Sequence, residues 1–259
     1  MNENGKCPLV SVVMPAYNAE RFIAKAIESV LNQSIQDLEL IVVDDCSGDH
    51  TCDVVEKVAK VDGRVRLIRN EKNIGAAGSR NRAFEVCTGR YVALLDSDDV
   101  WYPEKLERQL RLAERERADI VYCSYAIVNE ADEKICADFI VPEMTDLERM
   151  LGKSVLSCST VVLTGETVKQ TGFPVNYYHE DYAYWLQLLQ SGKKAVGDPE
   201  VLAAYRVYAN TKASNKVRSA KFRWQIYRDF MKFSRWKSAC YFMKYAWAGA
   251  AKYRRSADD

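Results

Sequence analysis

The run Tyr91 to Trp101, Tyr-Val-Ala-Leu-Leu-Asp-Ser-Asp-Asp-Val-Trp, restricts the fold of this chain more than any other. Tyr91 to Leu95 is apolar without a break, which suits a strand buried on both faces, as in a sheet covered by helices on either side. Three carboxylates, Asp96, Asp98 and Asp99, then arrive within four residues. Carboxylates at the end of a buried strand need a charge partner, and in an open α/β sheet the carboxyl ends of strands are where ligands bind. A divalent cation held between these aspartates and a diphosphate accounts for the cluster. Oxygen ligands in this number suit Mg²⁺ or Mn²⁺ better than zinc. The competing reading is a solvated acidic turn that caps a helix beginning near Pro103.

The preceding chain repeats the pattern of apolar run and polar turn. Leu9 to Met14 predicts a first strand, ending in Pro15-Ala16-Tyr17-Asn18 before a helix over 19–32, where Ile23, Ile27, Val30 and Leu31 recur at helical spacing. Leu38 to Val43 predicts the second strand, closed by Asp44-Asp45-Cys46-Ser47, and a helix follows near 51–60. Val65 to Ile68 is a third short strand, and Asn73-Ile74-Gly75-Ala76-Ala77-Gly78 opens a helix running to Cys87. Alternation at this spacing predicts a mostly parallel sheet with right-handed crossovers over the first hundred residues or so. Its polar turns then converge at one edge as a nucleotide site. There is no GxGxxG after the first strand and no GxxxxGK[ST] anywhere, which argues against a dinucleotide oxidoreductase and a P-loop NTPase.

Beyond Trp101 a charged amphipathic helix is expected over 103–117, one or two strands over 119–128, an irregular stretch over 132–146, and a strand over 155–163 holding Ser157, Cys158, Ser159 and Thr160. Glu180 and Asp181 open a helix containing Trp185, Leu186 and Leu189, where carboxylates also serve as plain N-terminal caps. A strand over 201–208 carries Arg206. The eight cysteines show no CxxC spacing and only two histidines accompany them, so a Cys/His zinc site is not expected. The polar N-terminus and the lack of any apolar run near ~20 residues predict a reducing, cytoplasmic setting without a spanning helix.

With these stretches in view, the chain resembles the family 2 inverting glycosyltransferases of GT-A fold. The motifs are Val-Ser-Val-Val-Met-Pro-Ala-Tyr-Asn (10–18), Ile-Val-Val-Asp-Asp-Cys-Ser (41–47), Asn-Ile-Gly-Ala-Ala-Gly-Ser-Arg-Asn (73–81), Leu-Asp-Ser-Asp-Asp (95–99), Glu-Asp-Tyr (180–182) and Tyr-Arg-Val (205–207). Each is weak alone; in this order they are specific, and they span 10–214. Within the family the chain looks most like bacterial enzymes of cell-surface polysaccharide assembly, the teichuronic acid type included. The resemblance implies an α/β fold with a Rossmann-like nucleotide-binding half (1–100), an acceptor half (101–214) and a helical tail (215–259). It implies a hexosyltransferase-type reaction from a nucleotide sugar, a UDP-sugar, to a hydroxyl of a glycan or polyprenyl-diphosphate-linked acceptor.

Roles follow position by position from the same resemblance. Pro15, Ala16 and Tyr17 would line the nucleobase, Asn18 would join them in binding the nucleotide, and Asp45, ahead of Asp44, would accept from the uracil N–H. Arg80 would lie on the diphosphate side, and Asp96 with Ser97 by the ribose. Asp98 would ligate Mn²⁺ or Mg²⁺ with Asp99 adjacent. Asp181 would be the base beside Glu180, and Arg206 would face the leaving diphosphate. A free Asp has pKa ~3.9, so Asp181 is ionised at pH 7 without special tuning. Two positions depart from the family pattern: His179 stands where Gly is common before the Glu-Asp pair, and Tyr208 where His often follows Tyr-Arg-Val. A nucleotidylyltransferase would need a Gly-rich basic loop after the first strand, which 14–18 lacks, and a non-catalytic sugar-nucleotide-binding protein could dispense with Asp181.

The net charge of +1 conceals an uneven distribution. Lys212 to Asp259 carries 13 basic residues against 3 acidic, the rest of the chain 24 against 33. Over 217–235 the spacing is helical, with Phe222, Ile226, Phe230 and Phe233 in one sector and Arg218, Lys221, Arg228, Lys232 and Arg235 in another. Trp236, Tyr241, Phe242, Tyr245, Trp247 and Tyr253 then alternate with Lys237, Lys244, Lys252, Arg254 and Arg255. Aromatics interleaved with cations suit an anionic membrane surface on the inner face of the cell membrane. The competing reading packs the aromatic face on the catalytic domain. No nucleic-acid-binding motif accompanies the basic tail.

Overall fold

The computed structural model describes residues 7–208 and 216–255. Its first half is the expected alternation. Strands β1 (Val10–Ala16), β2 (Leu38–Asp44), β3 (Val65–Arg69) and β4 (Tyr91–Leu94) lie parallel in the order β3-β2-β1-β4, connected through helices α1 (Ile23–Leu31), α2 (Thr51–Ala59) and α3 (Gly75–Phe84). All of β1 is buried, and its successive side chains serve opposite faces. Val12 and Met14 join one core with Ile23, Ile27 and Leu106; Val13 joins the other with Val92, Leu94 and Trp185. Two-sided burial is why these strands read as unbroken apolar runs. Gly89 lets the chain approach β1 closely: a Cβ there would stand 2.4 Å from the Ser11 amide nitrogen.

The second half extends the same sheet with mixed polarity. It contains β5 (Val100–Trp101), α4 (Lys105–Glu116), β6 (Ile120–Val128), β7 (Met144–Thr145), α5 (Leu147–Gly152), β8 (Val162–Thr164), α6 (Gly165–Gln170), α7 (Glu180–Gln190) and β9 (Ala195–Arg206). Strand β8 runs antiparallel to β4 and β6, β6 is parallel to β9, and β5 and β7 are antiparallel to β9. The strand expected over 155–163 is largely replaced by a 3₁₀ turn at Cys158–Thr160. The Ser157 carbonyl accepts from both the amide and the hydroxyl of Thr160, at 3.0 and 2.8 Å, so small polar groups close a local turn instead of joining the ladder. Strand β9 begins six residues before the expected 201, because Ala195 to Asp198 pairs with Ile120 to Cys123 ahead of an irregularity at Cys123–Tyr125. Gly197 and Pro199 hide that segment in the sequence.

The tail forms α8 (Lys216–Gln225), a π-helical turn (Ile226–Phe230) and α9 (Arg235–Arg255). The expected single helix over 217–235 is interrupted after Phe230, and Lys232 takes a positive φ of 55°. The aromatic sector of the first segment packs on the domain: Phe222 stacks on Tyr178 at 4.7 Å, Ile226 is buried, and Phe230 meets Tyr177 edge-on at 5.3 Å. In α9, Tyr241 and Phe242 turn toward the core, while Trp236, Met243 and Trp247 are 79%, 62% and 79% exposed. The expected domain boundary at 214/215 lies outside the described residues.

Candidate active site

A cavity of about 610 Å³ opens at the carboxyl ends of β1 and β4 and reaches the start of α7. Pro15, Ala16, Tyr17 and Asn18 form one wall. Asn18 adopts a positive φ of 49°, and two hydrogen bonds at 2.9 Å, from its amide to Ser47 Oγ and from the Gly48 amide to its Oδ1, tie the first turn to the second. Tyr17 is 54% exposed on this wall, leaving a ring face available for stacking.

Of the two neighbouring aspartates after β2, Asp45 reaches the cavity wall and Asp44 does not. Asp45 also fastens α3: its Oδ1 accepts from the Ile74 amide and from Asn70 Nδ2, and its Oδ2 from the Gly75 amide, each at 2.8 Å. Gly75 meets this contact with a positive φ of 79°. Asp44 is buried beneath, accepting from the Ser47 amide at 3.1 Å, so the alternative that it meets the nucleobase is corrected.

Asp96, Ser97 and Asp98 line the cavity floor. Asp96 is bonded to Arg80, whose guanidinium is 4% exposed, lies over the Phe173 ring at 5.1 Å and stands 3.8 Å from Glu180. Burial of Asp98, with Asp96 beside it, raises the Asp98 carboxyl above its ordinary range despite a hydrogen bond from Tyr208. Asp99 faces the other way. Its Oδ1 accepts from the Arg206 amide at 2.8 Å and its Oδ2 from the Ser159 hydroxyl, so it braces the turn and is not an adjacent metal ligand.

Arg206 is corrected likewise. It is 2% exposed and off the cavity wall, its guanidinium spent on the carbonyls of Asp98 and Asn129, both at 2.8 Å, and on Asp132 at 2.6 Å. It holds Asp98 from below instead of facing a diphosphate.

Asp181 and Glu180 reach the same cavity from the first turn of α7. Asp181 Oδ1 accepts from the Tyr182 amide at 2.7 Å. Removal from water, with Asp96 adding to it, lifts the Asp181 carboxyl above its ordinary range, against the Tyr182 amide, Arg80 and Arg223. This corrects the expectation of an untuned aspartate. Tyr178, His179, Ser157, Cys158, Tyr205 and Tyr208 also line the cavity. Position in the motifs already pointed to His179 and Tyr208, and Tyr205 opens the Tyr-Arg-Val motif; Tyr178 carries no local signal beyond adjacency to His179. Burial pushes the Cys158 thiol well above its usual value, so it is no thiolate nucleophile.

Among the described residues no three His, Cys, Asp or Glu side chains form a metal-holding cluster. The fit to a divalent cation is of another kind. Asp98 presents a carboxylate to the cavity beside Asp96, whose charge raises the Asp98 carboxyl further while its own partner is Arg80. One or two carboxylates plus phosphate oxygens are what Mg²⁺ commonly takes.

Residues 11–157 match the family described as Glycosyl transferase family 2. TuaG of Bacillus subtilis (strain 168), named for glycosyltransfer in teichuronic acid biosynthesis, is 38% identical over 239 residues, covering 92% of this chain and 95% of TuaG. The Escherichia coli UDP-Glc:alpha-D-GlcNAc-diphosphoundecaprenol beta-1,3-glucosyltransferase WfgD is 36% identical over 224 residues, covering 86% and 87% of the two chains. Among solved structures, S. aureus TarS 1-349 in complex with UDP-GlcNAc gives a TM-score of 0.71 at 19% identity, over 92% of this chain and 71% of that one. The mannosyltransferase PcManGT from Pyrobaculum calidifontis, with GDP-Man and Mn²⁺, gives 0.70 at 19% identity, over 98% and 77%. These two likenesses speak for the GT-A fold. With the family match over more than half its length and such relatives covering nearly all of it, this chain is a glycosyltransferase and belongs to glycosyl transferase family 2.

Proposed function

We propose that this glycosyltransferase moves a sugar from a UDP-sugar to a hydroxyl of a polyprenyl-diphosphate-linked glycan, with inversion, in bacterial surface polysaccharide assembly. The observation that carries the reading is the meeting in one cavity of Asp98 from the turn after β4 and Asp181 from α7. The named activity of WfgD and the nucleotides held by TarS supply the donor and acceptor classes.

Tyr17 stacks on the base and Asp45 keeps an oxygen toward its N–H. Arg80, neutralised on one side by Asp96, offers the rest of its guanidinium on the diphosphate side; among the described residues its Nε and Nη1 have no hydrogen-bond partner, Glu180 standing 3.8 Å from Nη1. Asp98 would hold Mn²⁺ or Mg²⁺, and the cation would supply neutralisation of the charge on the leaving diphosphate. Asp181 takes the proton of the attacking hydroxyl as its oxygen bonds the anomeric carbon, a contribution of roughly 10²–10⁴ in rate. The raised basicity of Asp181 favours that transfer, and a single displacement inverts the centre.

The same reading brings the reaction to an anionic membrane surface through the tail. No helix among the described residues is long and apolar enough to cross a membrane. Helix α9 instead presents Trp236, Met243 and Trp247 on the side away from Tyr241, while Lys244 pairs with Glu148 over the Tyr241 ring and Lys237 lies over Phe233, both at the flank of that stripe. Each Lys or Arg near such a surface is worth about 1 kcal/mol.

The test is product analysis with a panel of UDP-sugars, Mn²⁺ and a synthetic polyprenyl-diphosphate-linked sugar. Acceptor-stimulated release of UDP with a new glycosidic bond of inverted configuration is expected. Release of inorganic diphosphate instead would mark nucleotidyl transfer and overturn the reading.

A further inference from the structure

Arg223 of α8 is an unusual cation. It is 9% exposed, and among the described residues no carboxylate lies within salt-bridge distance of it. Its guanidinium lies 3.5 Å over the ring of Tyr182 and 4.7 Å from that of Tyr245, one on α7 and the other on α9. Its Nη1 is buried without a hydrogen-bond partner. A buried charge needs compensation, and two aromatic faces supply part of it. The frame around it is stiff. The Tyr182 hydroxyl donates to the Met150 carbonyl at 3.0 Å, and the Tyr227 hydroxyl to that of Leu151. Tyr182 follows Asp181 directly, so the tail cation is clamped against the residue next to the base.

We propose that Arg223 is a positioning residue of the transfer reaction: held between Tyr182 and Tyr245, it lets the C-terminal tail set the charge environment of Asp181. This rests on the reading of Asp181 as the base. Asp181 shares the cavity wall with Arg80 of α3, Asp96 and Asp98 after β4, Cys158 of the 3₁₀ turn, His179 and its neighbour Glu180, and Arg223 reaches it from behind through Tyr182, whose ring it covers and whose amide donates to Asp181 Oδ1. Arg80 is itself engaged by Asp96 and Glu180. Arg223, by contrast, has no carboxylate within ion-pair reach among the described residues. Its field favours the ionised base, so its loss moves the acid limb of activity to higher pH.

The experiment is the pH profile of kcat/KM for the full chain carrying Arg223→Gln, Arg223→Lys or Asp181→Asn, with UDP affinity measured alongside. Arg223→Gln is expected to shift the acid limb upward and to cost about tenfold on that limb, with recovery toward the plateau at high pH. Arg223→Lys keeps the charge and is expected to hold the limb near its original place. A uniform loss at every pH, or the same shift in both variants, would show that Arg223 serves packing only and overturn the proposal. If Arg223→Gln does not fold, Tyr245→Leu loosens the clamp from the half-buried side, and an unmoved limb there overturns it equally. Activity persisting in Asp181→Asn would refute the base itself; an inactive Asp181→Asn with an unmoved limb in Arg223→Gln would refute the tail's role alone.

Discussion

The hydroxyl of Tyr208 donates to Oδ2 of Asp98 at 3.0 Å, across more than a hundred residues of chain. The Tyr208 ring stacks on Phe22 at 6.0 Å, and the Arg206 guanidinium lies 4.7 Å over the same Phe22 ring. Asp98 is thus oriented from the end of β9, by the side chain at Tyr208 and by Arg206 beneath.

Asp98→Ala is expected to abolish transfer and the Mn²⁺-dependent part of UDP binding while leaving the melting temperature near that of the wild type. Tyr208→Phe removes one hydrogen bond, worth about 1 kcal/mol, and is expected to weaken UDP binding with Mn²⁺ by roughly fivefold. Calorimetric titration of UDP with Mn²⁺ reads both. Equal affinity in wild type and Asp98→Ala would remove Asp98 from the metal site.

Asp181→Asn keeps size and hydrogen bonding but not the proton acceptor, so transfer is expected to fall by roughly 10²–10⁴ with donor affinity retained. Stability gives a second readout. The fold raises the Asp181 pKa, so folding favours its protonated form and the ionised carboxylate weighs against the native state. Below the unfolded pKa this difference vanishes; it grows as pH rises to the folded pKa and is full above it. Asp181→Asn is therefore expected to melt higher than the wild type at pH 7, with the gap closing in acid. A gap that widens in acid would contradict the burial argument.

The exposed stripe of α9 predicts surface binding. Wild type is expected to sediment with anionic liposomes at low salt and to be released at high salt, because the attraction is screened. Replacing Trp236 and Trp247 by serine should weaken sedimentation without lowering the melting temperature, since both are 79% exposed. Removal of the chain from Lys216 onward should abolish sedimentation. A wild-type protein that stays in the supernatant at low salt would refute the membrane role.

Much of this molecule is legible in its sequence. The unbroken runs in β1, β2 and β4 marked inner strands because burial on both faces leaves no polar position to interrupt them. The polar turns that follow them marked the ligand edge, and the order of motifs marked the family. Segments whose pairing partners lie far away in sequence were not legible. The start of β9 pairs with β6 some 75 residues earlier, and its Gly and Pro obscure it locally.

Only the tertiary structure decided between neighbours. Asp44 and Asp45, or Asp98 and Asp99, are the same residue type one position apart, and composition cannot distinguish them. Asp44 ends a strand and Asp45 opens the turn after it, while Asp98 and Asp99 occupy a turn closed by the bond from the Asp99 amide to the Asp96 carbonyl, so one of each pair meets the cavity and the other meets the protein beneath. Which is which depends on α3 presenting the Ile74 and Gly75 amides to Asp45, and on Ser159 and the Arg206 amide claiming Asp99. Arg206 and Arg223 show the same limit from the other direction. A guanidinium reaches far enough that sequence names the charge but not its destination: Arg206 braces a turn, and Arg223 comes from the tail to the helix that carries Asp181.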